Sequence, residues 1–336
     1  MSDYLEKARQ RARVRLDAII ADLDSSDKSF GEKACVYATG SFGRLEASAL
    51  SDLDLFIITD VKRDGDKEPK PLLDGIDEIR LQYDLIRVAE KNEVAKFDGG
   101  GRFLAAHTIE SYTKWLGSRE DDYRNTLTGR MLLILESRPL IGGALYQKAL
   151  DEAISVYFRD YSTNAERFVP SFLLNDVMRM WRTFCVNYEF YRKVGDSRNK
   201  IKNLKLKFSR MLTCYSGVLH MLATYAKQST VRPADVQKMV TLSPTERLAE
   251  IATDRFWDGA PPDPALQEAV AEALAGYSEF LELTHQDTKK AVRQYRAHED
   301  AWRVRSYSFG ERLSIIIDLL GQRSPEAARL RRLIMV

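Results

Sequence analysis

The chain is poor in cysteine and histidine. Its three cysteines, Cys35, Cys185 and Cys214, are odd in number, far apart and set in apolar stretches. They exclude a disulfide framework and read as small buried hydrophobes in a reducing compartment. The four histidines, His107, His220, His285 and His298, fall at no ligand spacing, which argues against a zinc centre. No apolar run reaches the ~20 residues that span a bilayer. Met1 to Arg15 is charged and lacks a signal-peptide core, so a cytoplasmic protein without membrane contact is expected. A surplus of one charge is also missing. Fifty-one basic against forty-nine acidic residues leave a net charge of +2. That balance argues against wrapping an extended nucleic acid but leaves room for a local basic site.

What remains is an ordinary globular composition. The 336 residues, 44% hydrophobic and 30% charged, supply an ample core and predict two or three domains. The most informative stretch is Thr39-Gly40-Ser41-Phe42-Gly43-Arg44, followed by Ser51-Asp52-Leu53-Asp54-Leu55-Phe56. Cys35 to Ala38 reads as a strand ending in Gly40, which permits a sharp turn and close approach of a phosphate. A short helix is expected from Phe42 to about Ala49, its first N–H groups and the Ser41 hydroxyl facing an anion. A second strand is expected from Asp52 to Thr59. Alternation along it sets Asp52 and Asp54 on one face, with Leu53 and Leu55 in the core. Paired carboxylates repel, and a divalent cation removes that cost. Mg²⁺ suits such oxygens and keeps water and phosphate in its shell.

This arrangement resembles the signature of the DNA polymerase β-like nucleotidyltransferases: Gly40-Ser41, a gap of about ten residues, then Asp52-x-Asp54 on a strand. Phe42-Gly43-Arg44 and Ser51 resemble bacterial members near the signal-protein uridylyltransferases. So does the Glu-Ser-Arg stretch within Leu135-Glu136-Ser137-Arg138-Pro139-Leu140. That stretch, with Asn175-Asp176-Val177 and the segment from Trp181 to Glu189, also resembles a group of poorly characterised bacterial nucleotidyltransferases. The resemblance implies an α+β fold, in which a small mixed-sheet nucleotidyltransferase domain precedes a large all-helical region. It implies transfer of a nucleoside monophosphate from a triphosphate to a hydroxyl, with release of pyrophosphate. It also implies two Mg²⁺ ions, replaceable by Mn²⁺, held by Asp52, Asp54 and a third acid. Asp98, beside Gly99-Gly100-Gly101 where a third strand is expected, is the candidate for that acid and for deprotonating the acceptor. Asp84 is disfavoured, because Leu73, Ile76, Ile79, Tyr83 and Ile86 recur at helical spacing and place it mid-helix.

Beyond about Ala106 strand signals nearly vanish. Helices are expected over Arg119 to Ser137, opened by a capping box of Ser118 and Asp121, and over Leu145–Tyr161, Phe172–Lys193 and Ile201–Ala226. Ser243-Pro244-Thr245-Glu246, Asp263-Pro264 and Ser324-Pro325-Glu326 mark later helix starts. The expected domains are 1–107, 108–257 and 263–336, with Asp258–Asp263 as linker. Trp181, Trp257 and Trp302 read as core.

Lys193 to Arg210 contains seven basic residues and one acid. Lys202, Lys205 and Ser209 share a helix face there, opposite Leu204, Phe208 and Met211. With Gly40, Ser41 and Arg44 they form the expected phosphate-binding set, and Arg179 and Arg182 are lesser candidates. A protein side chain is the favoured acceptor. The alternatives are a cyclic or linear oligonucleotide synthase, and a catalytically weak nucleotide-binding regulator or antitoxin-like partner.

Overall fold

The structure, a computed structural model, describes residues 3–65, 68–94, 104–192 and 198–335. It is an α+β protein, mostly helical, with one small mixed sheet. Its contacts divide the chain into two compact units, Lys7–Val156 and Tyr157–Val336, the second including Met1–Glu6.

In the first unit, α1 (Asp3–Asp22) and α2 (Asp24–Phe30) lead into β1 (Ala34–Thr39). A one-turn helix α3 (Gly40–Gly43) and a loop precede β2 (Asp54–Thr59). Next come a short ribbon of β3 (Val61–Lys62) and β4 (Lys70–Pro71), then helix α4 (Gly75–Lys91). The unit continues through β5 (His107–Thr108), α5 (Ile109–Lys114), α6 (Arg119–Tyr123), α7 (Thr126–Glu136), β6 (Arg138–Ile141) and α8 (Gly143–Ser155). The sheet order is β5-β2-β1-β6, with β5 parallel to β2 and the other pairs antiparallel.

Period-2 alternation assigns each side of the sheet its own helices. Val36, Ala38, Leu55 and Ile57 meet Leu16 and Ile19 of α1 and Leu81, Leu85 and Val88 of α4. On the other face Tyr37 stacks on Phe56 at 5.5 Å and approaches Tyr146 of α8 at 6.2 Å. The Tyr37 hydroxyl donates to the Gly129 carbonyl (3.1 Å) and lies 3.1 Å from the Tyr112 hydroxyl. Nearby, Arg130 and Asp121, both fully buried, form a bidentate pair with two 2.9 Å bonds. Burial pushes the Asp121 carboxyl up, but Arg130 outweighs it and holds the group below its ordinary value.

Four expectations change here. The helix over Arg119–Ser137 is two helices, broken at Asn125, whose φ is +57°. The capping box does not form: Asp121 is drawn into the Arg130 pair, and the Ser118 side chain makes no cap. A strand appears at Arg138–Ile141, beyond the point where strand signals nearly vanish; it lies at the edge of the sheet, which tolerates Pro139. That strand pairs with β1, so the first compact unit extends to Val156 rather than ending near 107.

The second unit contains α9 (Tyr161–Asn164), α10 (Ser171–Tyr191), α11 (Arg198–Lys205), a π turn (Leu206–Arg210) and α12 (Met211–Gln228). It continues with α13 (Pro233–Thr241), α14 (Pro244–Glu250), α15 (Pro264–Thr284), α16 (Thr288–Ala297), α17 (Glu299–Gly321) and α18 (Pro325–Met335). Most of α12 is buried and none of its residues is exposed, and α14, α17 and α18 pack around it. Phe208 stacks between Phe280 and Phe309, each at 4.8 Å. The capping box at Ser243, the Asp263 cap and the Ser324 cap all form. Residues 157–336 form one compact unit, with Asp258–Asp263 as a surface turn within it. Trp257 and Trp302 are buried, Trp181 half-buried, and the three cysteines are free thiols.

Candidate functional site

The register of the β1–β2 pair builds the centre of the site. Thr39, the last residue of β1, pairs with Asp54, the first of β2. The chain then turns at Gly40 with φ +63°, a conformation that suits glycine. Gly40 lies so close to Asp54 that a Cβ would stand 2.3 Å from its Oδ2. The Gly-Ser turn and the strand aspartate are therefore brought into contact, and only a residue without a side chain fits between them. Asp52 and Asp54 are half-buried, while Leu53 and Leu55 are buried, as alternation predicts. The strand itself starts at Asp54, however; Asp52 forms a single bridge before it.

The expected helix from Phe42 to Ala49 is only the single turn of α3. Leu45, with φ +58°, ends it, and the loop folds back through Glu46 N–H donating to the Ser41 carbonyl (2.7 Å). A non-glycine residue in that region costs about 1–2 kcal/mol. Burial of Leu45 and the turn's hydrogen bonds offset the strain.

Glu136, at the end of α7, is the residue that sequence reasoning did not place here. Its Oε1 accepts the Gly40 N–H at 3.0 Å, and its Oε2 accepts from Arg44 Nη1 at 2.9 Å. Arg44 Nε also donates to Glu46 (2.9 Å). Arg44, expected to face phosphate, is thus bound to two carboxylates and braces the turn, and the Gly40 N–H already serves an internal anion. Glu136 was visible as part of Leu135-Glu136-Ser137-Arg138, but its contact with Gly40 spans 96 residues and follows no local pattern. Arg15 of α1 was also missed. It donates to the Ser48 carbonyl and lies 5.2 Å from the Phe42 ring centroid, joining α1 to the loop that leads into Asp52. Burial lowers its pKa.

Around the turn, Glu46 and Glu136 are paired with Arg44, and Asp52 and Asp54 are half-buried beside it in sequence. Asp52 and Asp54 are hard oxygen donors and could hold a Mg²⁺ whose remaining shell comes from phosphate and water. No group of three or more His, Cys, Asp or Glu among the described residues could hold a metal by itself. Asp98 lies outside the described residues. Asp84 sits in mid-α4, where its carboxylate accepts from Ser26 (2.8 Å).

Lys202, Lys205 and Ser209 belong to the helical unit. Lys202 and Lys205 are exposed, but Ser209 is buried and its hydroxyl donates to the Lys205 carbonyl (3.0 Å). The π turn explains the departure: its extra residue advances the helix phase, carrying Ser209 inward and Met211 to a half-buried position. Lys207, beside them, lies 4.3 Å from the Tyr307 ring centroid. Arg179 pairs with Asp176 (3.6 Å), and Arg182 is exposed. No helix of the described residues is long and apolar enough to cross a membrane.

Comparison with protein-family models, curated proteins and solved structures finds no match.

Proposed function

We propose that the protein is a Mg²⁺-dependent nucleotidyltransferase that moves a nucleoside monophosphate from a triphosphate to a hydroxyl, a protein side chain being the favoured acceptor. One observation carries the reading: Gly40 is pressed against Asp54, leaving room for a Cα and nothing larger. That contact would set a phosphate held at the turn beside a metal held by Asp54. Asp52 and Asp54 would hold the metal, which when bound neutralises phosphate charge and orients the leaving oxygen. The acceptor oxygen forms a bond to the α-phosphorus, the bond to the bridging oxygen breaks, and pyrophosphate leaves. The acceptor proton passes to a carboxylate, assigned to Asp98. Ser209, buried with its hydroxyl donating to the Lys205 carbonyl, is not assigned to the triphosphate.

The test is pyrophosphate release from each of the four triphosphates, with Mg²⁺, in the presence and absence of lysate protein. Wild type is expected to release it only with acceptor, and Asp54→Asn to lose about a hundredfold or more. Full release by Asp54→Asn, or none by wild type under any condition, defeats the reading. Oligonucleotides formed without acceptor would indicate a second-messenger synthase instead. The Glu136 bond to the Gly40 N–H favours one other reading, a nucleotide-binding regulator. It requires saturable triphosphate binding without turnover.

A further inference from the structure

Helix α4 has two apolar faces. Leu81, Leu85 and Val88 are buried in the core with the sheet, and Ala89 is buried beside them in sequence. The residues whose spacing announced the helix point the other way: Ile76, Ile79, Tyr83 and Ile86 are 64%, 67%, 64% and 40% exposed. Scattered surface hydrophobes need no explanation, but four at i, i+3, i+7 and i+10 form a continuous ridge. Arg80 and Arg87 are exposed along one edge of the ridge, Arg80 with one guanidinium nitrogen 3.5 Å from Asp77. On the other edge Gln82 and Glu78 bind the segment that follows, at the Leu104 carbonyl (2.9 Å) and the Ala106 N–H (2.8 Å). Glu90, exposed, closes the line of the ridge one step beyond Ile86.

We propose that this ridge docks an amphipathic helix of a partner protein, one whose apolar stripe is flanked by acidic residues that meet Arg80 and Arg87. A ridge at i, i+3, i+7 matches the anchor spacing by which helices recognise one another. The charges select among occupants. An antiparallel pair of α4 helices related by a two-fold axis brings both basic edges to the same side and sets Arg80 of one copy against Arg87 of the other. That disfavours self-pairing. A bilayer prefers a broad apolar face with basic borders; this face is one ridge wide and carries Glu90 in line. An acidic helix satisfies apolar stripe and arginine edge together.

The probe is a fluorescent helical peptide with leucines at i, i+3, i+7 and i+10 and glutamates beside them, titrated with the full-length protein. Its counterpart has lysines in place of the glutamates. Saturable binding of the acidic peptide is expected, weakening with salt, and about tenfold or more weaker for Ile79→Asp. The double variant Arg80→Glu/Arg87→Glu should reverse the preference toward the lysine peptide. These positions are exposed, so the variants retain the fold, as a circular-dichroism melt will verify. Equal binding of both peptides, or none, overturns the proposal. So does concentration-dependent self-association abolished by Ile79→Asp, or adsorption to phosphatidylserine vesicles that Ile79→Asp abolishes.

Discussion

Replacing Gly43 by alanine tests the architecture of the turn directly. A Cβ at Gly43 would lie 1.8 Å from the Glu136 carbonyl oxygen, 2.9 Å from its carbon and 3.0 Å from the Ala38 carbonyl oxygen. All three are backbone atoms of ordered elements, so no side chain can swing aside. Clearing the first contact to 3.0 Å requires a displacement of at least 1.2 Å between α3 and the end of α7. The Gly40–Glu136 bond (3.0 Å) and the Arg44–Glu136 bond (2.9 Å) cross that same boundary and cannot both survive it. Overpacking of this kind costs about 1–3 kcal/mol, and a lost hydrogen bond to a charged group about 1.5–3 kcal/mol. A total of about 3 kcal/mol lowers the melting temperature of a unit this size by roughly 6–12 °C. Differential scanning calorimetry of the full chain reads the shift. Gly75→Ala is the control: it opens α4, a Cβ there meets nothing within 4 Å, and the substitution should be neutral or slightly stabilising. A Gly43→Ala protein that melts within about 1 °C of wild type would refute the contact and the bracing role given to Glu136.

The Arg130–Asp121 pair is fully buried. Arg130→Met leaves a buried carboxylate without its partner and should destabilise by about 3–5 kcal/mol, read by urea denaturation, whereas Arg130→Met/Asp121→Leu should recover most of the loss. In the helical unit, the hydrogen bond from His220 (3.0 Å) outweighs burial and, with Lys238 (2.8 Å), holds Glu250 at about 2. Its stabilising contribution is complete above its ordinary 4.5 and disappears as pH falls toward about 2. Burial lowers the pKa of His220 despite Glu250, so below its ordinary 6.5 the unfolded chain takes up a proton that the native state resists. Both groups therefore lower stability as pH falls. A melting temperature that does not drop on acidification below pH ~6, or a His220→Asn variant with an unchanged slope there, would contradict this assignment.

Much of this was legible in the sequence where a local rule governs. The Gly-Ser turn, the alternation around Asp52 and Asp54, the helix α4 and the proline-signed caps depend on spacing within a few residues, and each formed. What escaped depends on distance or phase. β6 is four residues with a proline and becomes a strand only because β1 offers an edge. Glu136 and Arg15 reach the turn from other helices. Ser209 was misplaced by one extra residue in a π turn, which no periodicity rule anticipates. The α4 ridge shows the same limit from another side: helical spacing correctly predicted the helix but did not reveal which face was buried.

The pairing of β1 with β6 also bears on how the chain is made. Val36 finds Ile141 about a hundred residues downstream, whereas Cys35 meets Ile58 within one hairpin-like unit. During synthesis β1 and β2 both leave the ribosome long before β6. Until then one side of β1 presents unsatisfied N–H and C=O groups, an open edge of the kind that recruits stray strands. Closing so long a loop is slow. A nascent chain that has made Gly40, Ser41 and Asp54 still lacks Glu136, which fastens the turn in the folded protein. A chaperone that shields strand edges would act in that interval, and truncation before residue 138 should leave an aggregation-prone fragment.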